Sequence, residues 1–487
     1  MARVATELQT AGRWYDGNLV RWVDGVLRTM GGWRALTGGA GPAQFALTGM
    51  CRGAHAWKNN SNVPFMVMGT HSKLYVYSGD QVYDITPAGL AAGRADTTSY
   101  LGYGVGGYGR GAYGTARIVA GATAYATTWA IDNFGADGLM INSDDGRLLK
   151  WDGVPANIAT AVVATTGAVP TGNKSFLVTE ERFCMVLGAG GDPRKVQWAD
   201  EESYTAWLAS ATSKAGDQIL QTVGTLRCAV KVRRQNLLLT DMDAHVGEYI
   251  GLPFVYAFKR VGTGCGVIGP RALEAADDAA YWMGTGGFFT YDGAVKPLHC
   301  DVGDYIFSDI NRAQAEKVCA VRNPDFGEIT WFYPSVSSLE NDRYVTYNYR
   351  ENVWYFGLWA RTAGVSRGVF SSPVYIGADG AMYEHEVGTS YSGTTPYAES
   401  GPVEIGDGSR TYDLTSIVAD ERTLGQVTAT FRARYYPTGT ATTSGPYSLA
   451  NPTSVRISGK QASVKVSGTA DWRVGRFRFA YAMRGAR

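Results

Sequence analysis

Gly146-Arg-Leu-Leu-Lys-Trp-Asp-Gly153 is the stretch from which the fold is read. Leu148, Leu149 and Trp151 favour a strand, and Asp152-Gly153 is the dipeptide best suited to a two-residue type I′ turn. The same plan recurs in Leu74-Tyr-Val-Tyr-Ser-Gly-Asp80, in Phe288-Phe-Thr-Tyr-Asp-Gly293, and in Trp14-Tyr-Asp-Gly17 and Trp22-Val-Asp-Gly25. An aromatic that closes a strand, followed by an Asp-Gly turn, predicts a series of β-hairpins.

Composition agrees. Sixty-two Gly against 17 Pro, with 29 Tyr, 17 Phe and 13 Trp in 487 residues, suits many short strands better than long helices. Charged residues make up only 18%, so Thr, Ser, Gly and Tyr must cover much of the surface, a composition that suits burial inside an assembly. The net charge of +1 gives no overall pull towards nucleic acid, but its distribution is uneven. From Glu421 onward there are eleven Lys/Arg against two acids, leaving 34 basic and 42 acidic residues in the preceding 420. A basic end on an acidic body predicts two different surfaces. The six cysteines (51, 184, 228, 265, 300 and 319) have no CxxC spacing and read as buried free thiols of a reducing compartment. No apolar run is long enough to span a bilayer, so a soluble protein made in a cytoplasm is expected.

Working outward, Gly53–Trp57, Phe65–Gly69, Lys73–Tyr77 and Gln81–Ile85 are four short strands in about 35 residues, the size of one propeller blade. Thr127–Val154, Phe176–Trp198, Ala229–Ile250, Ala279–Tyr291, Val318–Trp354 and Val369–Glu386 repeat the pattern irregularly, which gives six or seven units. The Gly/Tyr-rich segment 100–115 is an insertion too poor in aliphatics to form a core, either a loop or an arm held by a neighbour. Asp301–Val318 is the best helix candidate, capped by Ser308 or Asp309. After Tyr391, Ser/Thr/Gly/Pro-rich sequence marks a boundary. Beyond it Val427–Tyr436, Ser454–Ile457, Ala462–Val466 and Gly475–Ala480 alternate with period two, and Arg476-Phe-Arg-Phe479 puts both arginines on one side and both phenylalanines on the other. The expected fold is all-β: a β-propeller-like body (46–390), an N-terminal β-meander (1–45) and a basic C-terminal β-sandwich (391–487).

The opening Asn18-Leu-Val-Arg-Trp-Val-Asp-Gly25, with Gly31-Gly32-Trp33 after it, resembles the N-terminus of the tail nozzle (tail-tube) class of structural proteins of short-tailed bacteriophages. The ending Ser454-Val-Arg-Ile-Ser-Gly-Lys-Gln-Ala-Ser-Val-Lys-Val-Ser-Gly468, with Asp471-Trp-Arg-Val-Gly-Arg-Phe-Arg-Phe479, resembles the same class. The resemblance implies a non-enzymatic virion subunit, assembled in the host bacterial cytoplasm. It would form a ring, typically a homohexamer, below the head-to-tail adaptor, with tail fibres or spikes as further partners and double-stranded DNA passing through the lumen. A conduit must not grip DNA, because each phosphate contact adds affinity, and a near-neutral or acidic body fits. The two ends are expected together as a platform facing the adaptor, with Arg13, Trp14, Arg21, Trp22, Trp33, Arg473, Arg476 and Arg478 at the interface, the arginines suited to bidentate pairing with carboxylates.

No catalytic, cofactor-binding or metal-binding residue is assigned. There is no phosphate loop, since Gly262-Thr-Gly-Cys-Gly266 lacks a lysine, and neither a Gly-x-Ser-x-Gly elbow nor a His-Glu-x-x-His pair. Asp241-Met-Asp-Ala-His245 and Glu384-His-Glu386 place acids beside an imidazole, a pattern more often a polar strand face than a metal site. Asp144-Asp145, Glu201-Glu202 and Asp277-Asp278 are adjacent acids that point apart on a strand or sit in turns, unlike the facing pair of a glycosidase. Two alternatives remain: a receptor-binding tail protein that holds a glycan on its propeller loops, and a propeller glycoside hydrolase.

Overall fold

The computed structural model describes residues 10–36, 46–99, 123–404 and 409–485; the predicted insertion 100–115 lies outside the described residues. The protein is all-β. Among the described residues, seven four-stranded antiparallel sheets form seven blades of a propeller. Blade I runs Cys51–Lys58, Pro64–Thr70, Leu74–Ser78, Gln81–Asp84, as the sequence predicts. The innermost strands of blades II to VI are Trp129–Phe134, Ser175–Val178, Leu226–Val232, Leu273–Ala276 and Cys319–Asn323, and that of blade VII is Arg361–Val365. Each packs beside the next, and Arg361–Val365 returns to Cys51–Lys58, so the ring closes.

The outermost strand of blade VII is not contiguous with it. Val374–Gly377 and Met382–His385 are completed by Trp33–Ala35, with Glu384 opposite Arg34 and His385 opposite Trp33. An N-terminal strand thus completes the last blade and covers the outer edge of Met382–His385.

Apolar residues fill the wedges between blades. Trp57 and Phe65 of blade I meet Trp151 of blade II, with Phe65 and Trp151 edge to face at 5.0 Å. Gly69 is there for contact: a Cβ would come within 2.3 Å of the Trp129 ring, whose indole N–H donates to the Thr70 carbonyl at 2.7 Å.

The turn chemistry behaves unevenly. Asp24-Gly25 links Val23 and Val26 as a two-residue hairpin with both φ positive, and Gly79-Asp80 does the same between Ser78 and Gln81. Asp152-Gly153 does not. The strand Leu148–Trp151 pairs with Thr160–Ala161 across a longer loop, which Asp152 organises by accepting from Val154 N–H (3.1 Å) and Asn157 Nδ2 (2.7 Å). Asp16-Gly17 is no turn either but lies inside the strand Trp14–Asn18 at a bulge. The predicted helix is a short helix Gly303–Asp309 followed by a 3₁₀ turn Arg312–Lys317. Neither Ser308 nor Asp309 caps it; the 3₁₀ turn is capped by Asn311, whose side chain accepts from Ala313 N–H.

The C-terminal sandwich has two sheets. One runs Trp14–Asn18, Tyr397–Ser400, Gln461–Ser467, Thr428–Arg434, Thr442–Ser448, with Val403–Glu404 also on Gln461–Ser467. The other runs Val20–Val23, Val26–Thr29, Arg473–Met483, Tyr412–Glu421, Thr453–Gly459. Of residues 1–45, expected as a unit of their own, the described part, 10–36, therefore forms no separate body. Its strands are shared between both sandwich sheets and blade VII, because a short meander has too little apolar face to fold alone. The chain passes from one sheet to the other at Leu19, held at φ 56° with its N–H donated to the Tyr344 hydroxyl at 2.9 Å.

Candidate functional site

Three places concentrate polar chemistry. The first is the junction where the two ends of the chain meet the propeller. Leu27 and Arg28 pair directly with Val474 and Arg473, so the two ends do sit together in one sheet. Arg21, expected at a partner interface, is instead buried inside this junction. Its Nε lies 2.9 Å from Glu328 Oε1 of blade VI, its Nη1 donates to Glu386 Oε2 at 3.0 Å, its Nη2 also pairs with Glu386, and its guanidinium stacks on Phe326 at 3.8 Å. Burial opposes the charge, yet the two carboxylates hold the guanidinium firmly protonated, whereas burial pushes Glu328 up against the pull of Arg21. Trp33 is likewise buried, packed on Trp359, His385 and Tyr391. Trp22 is half-buried against Tyr355. These three residues were drawn to the interface by their place in an aromatic, basic stretch, but internal contacts absorb them.

What remains open at the junction is a cleft of about 380 Å³ lined by Arg28, Phe326, Tyr391, Asp471 and Arg473 among others. Arg28 and Arg473 stand directly opposite on neighbouring strands, an unfavourable like-charge pair, and burial together with Arg21 and Arg473 lowers the Arg28 pKa. Arg28 is the site residue that the local sequence pattern does not single out. Arg476 and Arg478 are exposed, as is Arg456 two strands away in the same sheet. None of the three makes an ion pair among the described residues. Elsewhere the basic end is partly neutralised within its own sandwich, Arg432 pairing with Glu399 at 3.0 Å and Arg484 with Asp413. Phe477 and Phe479, on the side away from the arginines, line an apolar cleft of about 270 Å³ between the sheets together with Arg13 and Trp14.

The second place is the propeller bore. Towards the C-terminal ends of the inner strands it widens to a cavity of about 550 Å³, whose lining includes six ionisable residues: His55, Asp132, Lys231, Glu274, Arg322 and Arg367. Asp132 accepts from Val178 N–H at 3.0 Å and lies 3.7 Å from His55 Nε2 and 4.0 Å from Lys231 Nζ. Arg322 donates to the Ala275 carbonyl at 3.2 Å, and Arg367 pairs with Asp325 at 2.7 Å. The Glu274 carboxyl borders the cavity but is packed round by protein, and burial pushes it up to about 7 against Arg322 and the Ala275 N–H. The signal that could have found this set is a single charged residue inside otherwise apolar inner strands, as in Trp129-Ala-Ile-Asp-Asn-Phe134 or Cys319-Ala-Val-Arg-Asn323.

The third place is the opposite mouth of the bore, where buried charges form a plug. Lys317 Nζ contacts Asp96 Oδ1 (2.5 Å), Glu340 Oε1 (2.9 Å) and the Leu339 carbonyl (2.6 Å). Arg52 donates to Glu340 Oε1 and to the Ala95 carbonyl, and Arg271 to the carbonyls of Thr362 and Lys317. Gln314 clasps both backbone groups of Thr97 at 3.0 Å. The segment leading out of blade I is thereby tied across the mouth to the Arg312–Lys317 turn that leads into blade VI.

The acid–imidazole motifs separate. Asp243 and His245 pair at 3.2 Å, with Thr222 on Asp243, while Asp241 caps Thr225 N–H. Glu384 goes to Arg34 and Glu386 to Arg21, and His385 accepts from Arg361 Nε. Among the described residues no three His, Cys, Asp or Glu side chains are placed to hold a metal.

No family model matches the chain. Over 135 residues it is 25% identical to the guanine nucleotide-binding protein subunit beta of Dictyostelium discoideum, a match covering 26% of this chain and 38% of that protein, well under two thirds of its length. Among solved structures it is similar to the β-propeller domain of Cps50 (Swd1) from Myceliophteria thermophila (TM-score 0.40, 8% identity, 71% of this chain and 100% of that one). It is also similar to PorZ, a surface component of the type-IX secretion system of Porphyromonas gingivalis (TM-score 0.38, 9% identity, 79% and 44%).

Proposed function

We propose that this protein is a non-enzymatic structural subunit of a phage tail, of the nozzle type, that assembles as a ring beneath the head-to-tail adaptor. One observation carries the reading. The two stretches that resemble the nozzle class pair with each other in a single sheet (Leu27 with Val474, Arg28 with Arg473), although they lie at opposite ends of the chain. Two separate sequence resemblances thus fall on one surface. That surface presents Arg28, Arg473, Arg476 and Arg478, a set suited to carboxylates of an acidic partner face. The genome would pass between subunits and not through the propeller bore, whose mouth is plugged by Lys317, Arg52 and their acids.

Native mass spectrometry with negative-stain imaging of the purified protein, alone and with its adaptor, tests the reading. Rings of about six copies, the closed cyclic symmetry that the resemblance implies, are expected alone or on the adaptor. A protein that stays monomeric and never joins the adaptor would overturn it and bring forward the glycan-binding alternative.

A further inference from the structure

The plug at the bore mouth carries a charge imbalance. Three cations meet there, Arg52, Arg271 and Lys317, against two carboxylates, Asp96 and Glu340, which leaves one positive charge in excess. The Arg227–Glu316 pair beside them is neutral. The side chains of Arg52 and Lys317 are fully buried. Arg52 Nε and Nη1 and Arg271 Nε are buried N–H donors with no hydrogen-bond partner among the described residues. Glu340 Oε2 and Asn341 Oδ1 are unpartnered too. Water can serve donors and acceptors alike, but it does not supply the missing negative charge, and an uncompensated buried charge is strongly destabilising. The Cys51 and Cys319 thiols stand close to both arginines, but burial pushes Cys51 up to about 11 and raises Cys319 as well, so neither supplies a thiolate near neutral pH.

We propose that the mouth of the bore binds one small monovalent inorganic anion, of the halide class, held by Arg52 Nε and Nη1 and Arg271 Nε. The anion neutralises the excess charge and acts as a latch. Arg52 belongs to blade I, Arg271 leads into blade V, Lys317 leads into the innermost strand of blade VI, and Glu340 lies in the loop between that blade's second and third strands. Binding therefore fastens the Arg94–Thr98 segment across the mouth.

The test is thermal unfolding of the full chain at fixed ionic strength, with gluconate exchanged stepwise for chloride. A ligand that binds only the folded state raises stability with the logarithm of its concentration, and for a chain of this length about 1 °C in apparent Tm is expected per tenfold chloride above the dissociation constant. Arg52→Met removes both the excess charge and two donors, so the chloride dependence should vanish while weak general salt effects persist. Should that variant fail to fold, crystals of the unaltered protein grown in bromide give a second readout: an anomalous peak within hydrogen-bond distance of Arg52 and Arg271. A Tm indifferent to chloride, a dependence retained in Arg52→Met, or water in place of bromide at that position would each overturn the proposal.

Discussion

Replacing Arg21 by Met should loosen the joint between sandwich and propeller in a pH-dependent way. In the native protein Arg21 is 2% exposed and serves Glu328, itself 3% exposed, and Glu386, 19% exposed. Methionine fills much of the same volume, so the loss is chiefly electrostatic: a buried carboxylate loses its counter-charge. Breaking a buried pair from one side costs about 3–5 kcal/mol, which for a chain of this length is a fall of about 3–5 °C in apparent Tm. The sign with pH follows from Glu328. Burial already raises its folded pKa above the ordinary 4.5, and Arg21 is the main influence pulling it down. Without Arg21 the folded pKa climbs further, so the variant takes up a proton on folding. A raised acid contributes stability that is fully present below the unfolded pKa and lost as pH rises through the folded pKa. The deficit relative to the native protein should therefore be smaller near pH 5 than at pH 8, growing by about 1.4 kcal/mol per pH unit between the folded pKa of the native protein and the higher one of the variant. The double variant R21M/E328Q, which removes both charges, should recover most of the loss at pH 8 and show no pH dependence of the deficit. A Tm for R21M within about 1 °C of the native value at pH 8, or the same deficit at both pH values, would refute the reasoning.

Arg473→Glu turns the opposed Arg28–Arg473 pair into an attractive one, so the isolated protein should gain about 0.2–1 kcal/mol while, on the proposed nozzle reading, capture by an adaptor weakens; calorimetry and co-sedimentation read the two effects separately. Trp33→Ala should cost about 3–5 kcal/mol and release the strand that seals blade VII, seen as faster hydrogen exchange confined at first to Trp33–Ala35 and Met382–His385. Glu274, with a folded pKa of about 7 against 4.5 unfolded, contributes stability below pH 4.5 that is lost as pH rises through 7, on the order of 3 kcal/mol. Glu274→Gln should flatten that part of the pH profile, and a carboxyl NMR titration with its midpoint below 5 would contradict the assignment.

Much of the architecture is legible in the residues, and the parts that are not have physical causes. Blade I can be read strand by strand because its hydrophobic runs are short, β-branched or aromatic, and bounded by Gly79-Asp80. The opening stretch Gly146–Gly153 signals its strand correctly but not its turn, since a side-chain-organised loop and a type I′ hairpin both favour Asp-Gly. The strand Tyr412–Glu421 at the centre of a sandwich sheet escapes notice because one face is buried and the other carries Ser416, Val418 and Asp420, a weak alternation beside a Ser/Thr-rich boundary. The sharing of residues 14–35 between two sheets and a blade is a choice among long-range pairings that local pattern does not encode. For the same reason Arg21 and Trp33 read as surface residues: their partners Glu328, Glu386 and Trp359 lie more than 300 positions away.

The seal on blade VII also bears on how the chain is made. Arg34 and its partner Glu384 are 350 positions apart, so Trp33–Ala35 leaves the ribosome long before the strand it must join. Until then blade VII does not exist, and residues 14–29 wait for sandwich partners made later still. Closure of so distant a pairing is slow, and the waiting strands offer bare edges to other nascent chains. A chain cut short before Met382 can finish neither body, so the surface formed by both ends is displayed only by a translation product that has been read through to Arg473 and beyond. Assembly that recognises that surface would discriminate against truncated subunits without a separate checking step.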